Sequence, residues 1–186
     1  AREGALFRNA FVTTPVCSPS RVGFLTGRYG TELGITDWIS PAEGASGLGL
    51  PPGTPTWPAI LRANGWRTAL VGKWHLVSDP TGFDYWHILP GQGVYYDPPM
   101  IEMGRRVKHE GYVTDIITDV ALDFLENRRD KSKPFFLMCH HKAPHRNWQP
   151  DEKHRAMFAD KVIPEPPTLY DDHATRTDAI RECRQK

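Results

Sequence analysis

Thr56-Trp57-Pro58-Ala59-Ile60-Leu61-Arg62-Ala63-Asn64-Gly65, followed at once by Trp66-Arg67-Thr68-Ala69-Leu70-Val71, reads as a helix running into a strand. Thr56 can cap that helix, Pro58 falls in its first turn where a missing N–H does no harm, and Gly65 ends it. The same order returns downstream. Val113, Ile116, Ile117, Val120, Ala121, Phe124 and Leu125 recur at helical spacing, with Asp115, Asp119, Asp123, Glu126 and Arg128 on the wet face. This spacing predicts a helix over Val113 to Arg129, its charges structural and Arg128 and Arg129 suited to the C-terminal dipole. A turn at Lys131-Ser132-Lys133 leads to Pro134-Phe135-Phe136-Leu137-Met138-Cys139, a continuous apolar run expected to form a strand buried on both faces. Helix–strand twice over means an α/β fold, mainly a parallel sheet flanked by helices.

The whole chain fits that class. Its 186 residues suffice for one domain with a real core. Lys and Arg number 23 against 22 Asp and Glu, for a net charge of +1, and no basic face or run points to nucleic acid. No apolar run reaches membrane-spanning length, so no membrane partner is expected. Cys17, Cys139 and Cys183 make no disulfide framework, and no CxxC pair suggests zinc. The start, Ala1-Arg2-Glu3-Gly4, reads as mid-protein, and compartment cannot be read from it.

Outside the helix–strand units the pattern is weaker. Gly4 to Val12 reads as a strand or extended arm. Gly30 to Gly53, rich in Gly, Ser, Pro and Ala, reads as a long loop, either lining a site or lying on the surface. Asp79 to Arg105, with Gly91-Gln92-Gly93, Tyr95-Tyr96-Asp97 and Pro98-Pro99, reads as loop-like, its aromatics serving as packing by default. Asp151 to Ala159 reads as a polar helix, Pro164 to Pro167 as extended, and the chain stops at Lys186 in an unfinished helix. Leu169-Tyr170-Asp171-Asp172 is open to substrate contact, its acidic pair to capping.

Candidate chemistry gathers at Val16-Cys17-Ser18-Pro19-Ser20-Arg21-Val22-Gly23-Phe24-Leu25-Thr26-Gly27-Arg28. Ser18 is positioned to cap a short helix, with Pro19 at its first position and Gly27 as its left-handed terminator. Cys17 then lies just outside a helix N-terminus, where an anion is favoured, and Arg21 is one turn on. Cys17 can be a small buried thiol packed under the turn. It can be a thiolate nucleophile, although a Cys–Arg separation of four with Pro19 between them does not suit a phosphatase loop. Lys73 and His75 fall just past the end of the strand that contains Val71, where α/β proteins build sites, and can point the same way if the chain stays extended. His140, His141 and His145 lie close together without recognisable zinc-ligand spacing.

A third reading of Cys17 comes from likeness. Cys17-x-Pro19-Ser20-Arg21-x-x-x-Leu25-Thr26-Gly27-Arg28 resembles the signature of the type I sulfatases of the alkaline-phosphatase-like superfamily, whose cysteine is oxidised to the aldehyde formylglycine. Gly65-Trp66-x-Thr68-x-x-x-Gly72-Lys73-Trp74-His75 resembles that family's second signature, with Trp66 where Tyr is usual. Ala143-Pro144-His145 resembles a later segment, and Gly4, Phe7, Asn9, Ala10, Phe11 and Gly82-Phe83-Asp84 fit the connections. The likeness runs through essentially the whole chain. It implies an alkaline-phosphatase-like fold incomplete at both ends, with residues 1–186 a partial N-terminal catalytic domain.

The resemblance also implies a mechanism. One hydroxyl of the formylglycine hydrate attacks sulfur, and the other then expels sulfate by reforming the aldehyde. Cys17 becomes that group, Arg21 steadies it, Lys73 holds a sulfate oxygen, His75 assists elimination, and His145 protonates the leaving oxygen, with His140 and His141 structural or supporting. The implied cofactor is a divalent cation, usually calcium, for which Cys17 is the one ligand here, because the family's aspartate pairs are expected before Ala1 and after Lys186. Implied partners are a formylglycine-generating maturase and a sulfated carbohydrate. His141 to Trp148 with Tyr170-Asp171-Asp172 looks most like bacterial glycan sulfatases of the glucosamine-6-sulfate or mucin-desulfating kind. A periplasmic or secreted location is expected for the full-length protein, and little activity for these residues alone. Phosphonate monoester or phosphodiester hydrolysis within the same superfamily, and an inactive truncated chain, are the competing readings.

Overall fold

The computed structural model describes residues 4–182, so Cys183 lies outside the described residues. The chain divides into one compact unit over 1–149 and a second over 150–186.

The first unit is a five-stranded sheet in the order β4-β3-β2-β1-β5. Its strands are β1 Arg67–Lys73, β2 Tyr85–Leu89, β3 Pro99–Glu102, β4 Arg105–Lys108 and β5 Phe135–His140. β1 pairs in parallel with both β2 and β5, Val71 lying opposite His87 on one side and Cys139 on the other. β3 and β4 extend the sheet antiparallel. This mixed α/β sheet has the expected parallel centre.

Helices cover both faces. Helix α1 (Cys17–Thr26) and the segment after it meet Leu70, Trp86, Ile88 and Met138 through Val22, Leu25, Ile35, Ile39 and Leu50. On the other face, Val113, Ile117, Ala121 and Phe124 pack onto Ala69, Val71, Tyr85 and Leu89. Ile117 and Leu70 are fully buried, and each such side chain is worth roughly 1.5–3 kcal/mol against exposure. The alternation along β1 divides its side chains between two cores, as its near-continuous burial requires.

The helix–strand units form as expected. α3 (Trp57–Ala63) is capped by Thr56, whose hydroxyl accepts from Ala59 N at 3.4 Å. Trp57 anchors it, donating to the Phe24 carbonyl at 2.8 Å and meeting Phe136 edge-on. Asp84 ties β1 to α3, accepting from Thr68 N at 3.0 Å and Arg62 Nε at 2.8 Å. The helix α4 is regular over Val113–Asp123 and continues as a π-turn over Phe124–Arg128.

Several expectations are corrected. Gly4 to Val12 forms no strand and is exposed. The 30–53 loop contains a 3-10 turn, Gly30–Leu33, and a short helix, α2 (Pro41–Ala45), closed by a Ser40–Glu43 capping box. Asp79 to Arg105 holds β2 and β3 and leads into β4. The tight turn between β3 and β4 uses Met103 and Gly104, both at positive φ (47° and 84°), the geometry of a two-residue hairpin. β5 is not buried on both faces: it is an edge strand among the described residues, and Phe135 is 41% exposed. Arg129 stacks over the Phe135 ring at 4.6 Å. The π-turn's Arg128 pairs with Asp123 and with Glu102. Tyr85, Trp86 and Tyr95 are buried packing residues.

In the second unit, Asp151 to Ala159 is a run of turns rather than a helix, and Asp151 accepts from His154 N at 3.0 Å. Asp171 and Asp172 close turns, accepting from His173 N and Ala174 N at 3.0 and 2.8 Å. A helix α5, Asp178–Arg181, follows, and its expected continuation lies outside the described residues.

Candidate active site

β1 carries the first site residues, because a parallel strand's C-terminal end is where α/β sheets present side chains. Gly72, at φ +98°, lets β1 run against β5: a Cβ there would stand 2.0 Å from the His140 carbonyl oxygen. Beyond Lys73 the chain coils rather than staying extended. His75 and Val77 take left-handed conformations, φ 58° and 64°, a region that holds non-glycine residues at about 1–3 kcal/mol of strain. The surroundings enforce it. Ser18 Oγ donates to the His75 carbonyl at 3.2 Å and accepts from Ile39 N at 3.0 Å, while Leu50 N donates to the Leu76 carbonyl at 3.1 Å.

That use of Ser18 corrects its expected capping role. The helix starts two residues earlier, with Val16 at its cap position and no side-chain cap. Cys17 is therefore the first helical residue, Pro19 the third, and Ser18 is fully buried. Gly27 ends the helix in the left-handed conformation as expected, φ 69°. Cys17 is a half-buried free thiol at the helix's positive end.

Arg21 projects from the next turn to the end of β1. Its Nη1 donates to the Lys73 carbonyl at 2.9 Å and lies 3.2 Å from His140 Nδ1, itself 3.1 Å from the same carbonyl. β5's His140 is thus drawn into support of Arg21. Lys73 and His75 take different partners. Lys73 Nζ donates to Gln92 Oε1 at 2.6 Å, whereas His75 Nε2 lies 3.2 Å from the Ile39 carbonyl. His75 is 4% exposed, and its Nδ1 is a buried polar atom with no partner among the described residues.

Burial and crowding of cations set the electrostatics. Lys73 is pushed down to about 8 by burial and then by Arg21 and Lys142, with Cys17 acting the other way. His75 is pushed down to about 4, by burial first and then by Lys73. Burial and then Arg21 also hold His140 below the ordinary imidazole range. His75 is therefore a neutral imidazole at neutral pH, with Nε2–H committed to Ile39 and the Nδ1 lone pair available.

A cavity of about 1080 Å³ opens over these groups, with Cys17, Arg21, Lys73, His140, Lys142 and His145 on its wall. His75 is not among the wall residues. His145 is held from two sides: Tyr95 Oη donates to its carbonyl at 2.5 Å, and its Nδ1 lies 2.5 Å from the Arg146 carbonyl. His141 is exposed, 3.9 Å from Cys139 Sγ through its Nε2.

Among the described residues the cavity wall carries no Asp or Glu. Among the described residues no group of three or more His, Cys, Asp or Glu is arranged to hold a metal ion. A hard cation wants six to eight oxygens, so the described residues do not by themselves fit the calcium expected at Cys17. Their chemistry is that of an anion site.

Gln92 and Lys142 escaped the sequence reading. Lys142 is 5% exposed, donates to the Gln92 carbonyl at 3.0 Å and stands 4.7 Å from the Tyr95 ring centroid. The available signal was a polar side chain between two glycines just past an apolar run.

Comparison with known proteins bears on this arrangement. The Sulfatase family model matches residues 1–180. An N-acetylglucosamine-6-O-sulfatase of Bacteroides thetaiotaomicron is 46% identical over 185 residues, 98% of this chain and 32% of the relative. The N-acetylglucosamine-6-sulfatase of Bos taurus is 31% identical over 178 residues, again covering 32% of that protein. The chain thus spans about a third of the length of these relatives. Among solved structures, BT4656 in complex with its substrate D-glucosamine-2-N,6-O-disulfate matches with TM-score 0.84 and 46% identity over 94% of this chain and 34% of that one. Ps i-CgsB in complex with k-i-k-neocarrahexaose matches with TM-score 0.73 and 27% identity over 82% of this chain and 40% of that one. With a family match over nearly its whole length and an α/β sheet shared with solved relatives, the chain belongs to the sulfatase family.

Proposed function

We propose that this chain forms the nucleophile-bearing part of the catalytic domain of a sulfuric ester hydrolase acting on sulfated glycans, with a 6-O-sulfated glucosamine-type sugar as substrate class. Cys17 is converted to formylglycine by a maturase, and its hydrate supplies a nucleophile that releases sulfate without a separate hydrolysis step. The observation that carries this reading is a cavity over a cysteine at a helix start, whose charged wall residues are cations brought from three segments of the chain. The names and substrate of the relatives support the sugar class. A divalent cation, usually calcium in this family, finds no carboxylate on this cavity wall, and no step below depends on it.

The chain's own groups divide the work. Arg21, anchored on the Lys73 carbonyl, steadies the group at position 17. Lys73 spends one ammonium hydrogen on Gln92 and has two left for a sulfate oxygen, offsetting charge as the ester bond breaks. His75, neutral with an unpartnered Nδ1, accepts a proton from a hydroxyl at position 17. His145 keeps Nδ1 on the Arg146 carbonyl, which leaves Nε2 to serve the leaving alcohol as general acid.

The test is turnover by the full-length protein, made with the maturase, of glucosamine-6-sulfate against a phosphodiester and a phosphonate monoester. Preferred release of sulfate is the expected result. Preference for the phosphorus esters moves the protein to the neighbouring hydrolases, and no turnover of any of them makes it an inactive chain.

A further inference from the structure

The segment after β2 contributes no residue to the family signatures quoted above, yet it touches three of the groups the mechanism uses or borders. The Gln92 side chain takes the Lys73 ammonium, its backbone carbonyl takes the Lys142 ammonium, and Tyr95 holds the His145 carbonyl. The segment is held rigidly. Gly93 sits at φ +67°, where a Cβ would stand 2.1 Å from Leu89 Cδ2, so the turn closes directly onto the end of β2. Tyr95 is buried, 3% exposed.

Two buried ammoniums on one glutamine call for an explanation. Lys73 and Lys142 repel each other, and both are lowered by burial. A lysine side chain has four rotatable bonds and needs an acceptor to hold one position. Among the described residues no carboxylate lines the cavity to serve. A carboxylate there would bind the lysine firmly but would repel an incoming sulfate. A neutral amide oxygen fixes the ammonium and leaves its charge for the anion.

We infer that Gln92 is a positioning residue for Lys73, a neutral acceptor that aims the ammonium at the sulfate and is itself braced by Lys142 through its backbone carbonyl. The inference rests on the proposed hydrolase reading. It is tested by two variants that act in opposite directions. Gln92→Met keeps the length and removes the acceptor, so the Lys73 ammonium loses support and its titration moves to lower pH. Gln92→Glu supplies a charge, moves the titration to higher pH, and weakens binding of the anionic substrate. Arg21, Lys142 and Cys17 are the other charged or titratable groups acting on Lys73, and they are the same in all three proteins.

The measurements are the pH profile of kcat/KM in the full-length protein and, independently of activity, an NMR titration of lysine 13Cε signals with Lys73 assigned by its Lys73→Arg variant. Opposite displacements of the basic limb and of the Lys73 titration are expected. With them go a loss of roughly tenfold or more in kcat/KM for Gln92→Met, the scale of a lost charged hydrogen bond, and a raised KM for Gln92→Glu. Titrations that do not move in either variant, or move the same way in both, overturn the inference. If the parent protein turns over no sulfate ester while the NMR titrations still move apart, the hydrolase reading fails and the Gln92–Lys73 tie stands.

Discussion

The parallel half of the sheet and its antiparallel extension differ in how they are held and in what they do for the site. β1 is almost entirely buried, with a core on each face. β3 and β4 have four residues each, and Met100 is the one residue of theirs that is fully buried. Glu102 on β3 is tied by polar contacts instead, accepting from Tyr85 Oη and pairing with Arg105 and Arg128. The parallel half presents Lys73 and His140, and α1 delivers Cys17 and Arg21 to the same end. The stretch that leads from β2 into the extension presents acceptors and a ring that hold those side chains. The proposed chemistry sits on the strongly packed half, and the proposed alignment draws on a connection to the weaker one.

Substitutions can break or sharpen that contrast, starting with activity in the full-length protein. Cys17→Ala and Lys73→Met should each lower kcat by roughly a thousandfold or more, since groups acting as a unit fail together and one charge-stabilising donor is worth about 100- to 1000-fold. A Lys73→Met protein with near-parent kcat would remove the parallel half from the chemistry. Next is stability: Ile117→Ala, emptying a fully buried position against β1, should cost about 2–5 kcal/mol. Ile101→Ala on β3, only half-buried, should cost clearly less in the same urea titration. Equal losses would mean that the extension is as tightly packed as the centre.

Acid sensitivity should centre on the parallel half. His75 and His87 are both pushed from 6.5 down to about 4 by burial, reinforced by Lys73 for the first and His109 for the second. Each is neutral when folded and takes a proton more readily when unfolded. Their contribution is present above pH 6.5 and is lost as pH falls toward 4. Urea midpoints should therefore fall between pH 7 and 5, and His87→Gln should flatten that slope. The smallest effect belongs to Arg105→Ala. Its side chain is 78% exposed beside Glu102, so a thermal melt should register no more than about 1 kcal/mol.

The same contrast explains what was legible in the sequence. The α4 stripe declares itself by periodicity, because burial of one helix face against a sheet imposes it, and β5 by its apolar run. Cys17, Arg21, Lys73, His75 and His145 were marked by motif, and all of them but His75 line one cavity. β3 and β4 were not legible, since four-residue strands exist only through their pairing with β2 and each other. Ser18 was misread as a cap because nothing local announces that its hydroxyl is needed by His75 and Ile39, both distant in sequence. Gln92 and Lys142 stayed hidden for the same reason: an amide between two glycines gains its meaning only when β1 delivers a lysine to it.

The most direct test is the mass of the tryptic peptide from Asn9 to Arg21, taken from protein made in a host with the maturase. A peptide that has lost sulfur and two hydrogens and gained one oxygen identifies position 17 as the aldehyde that the surrounding cations are arranged to serve. An intact Cys17 thiol under those conditions would contradict the account at its centre.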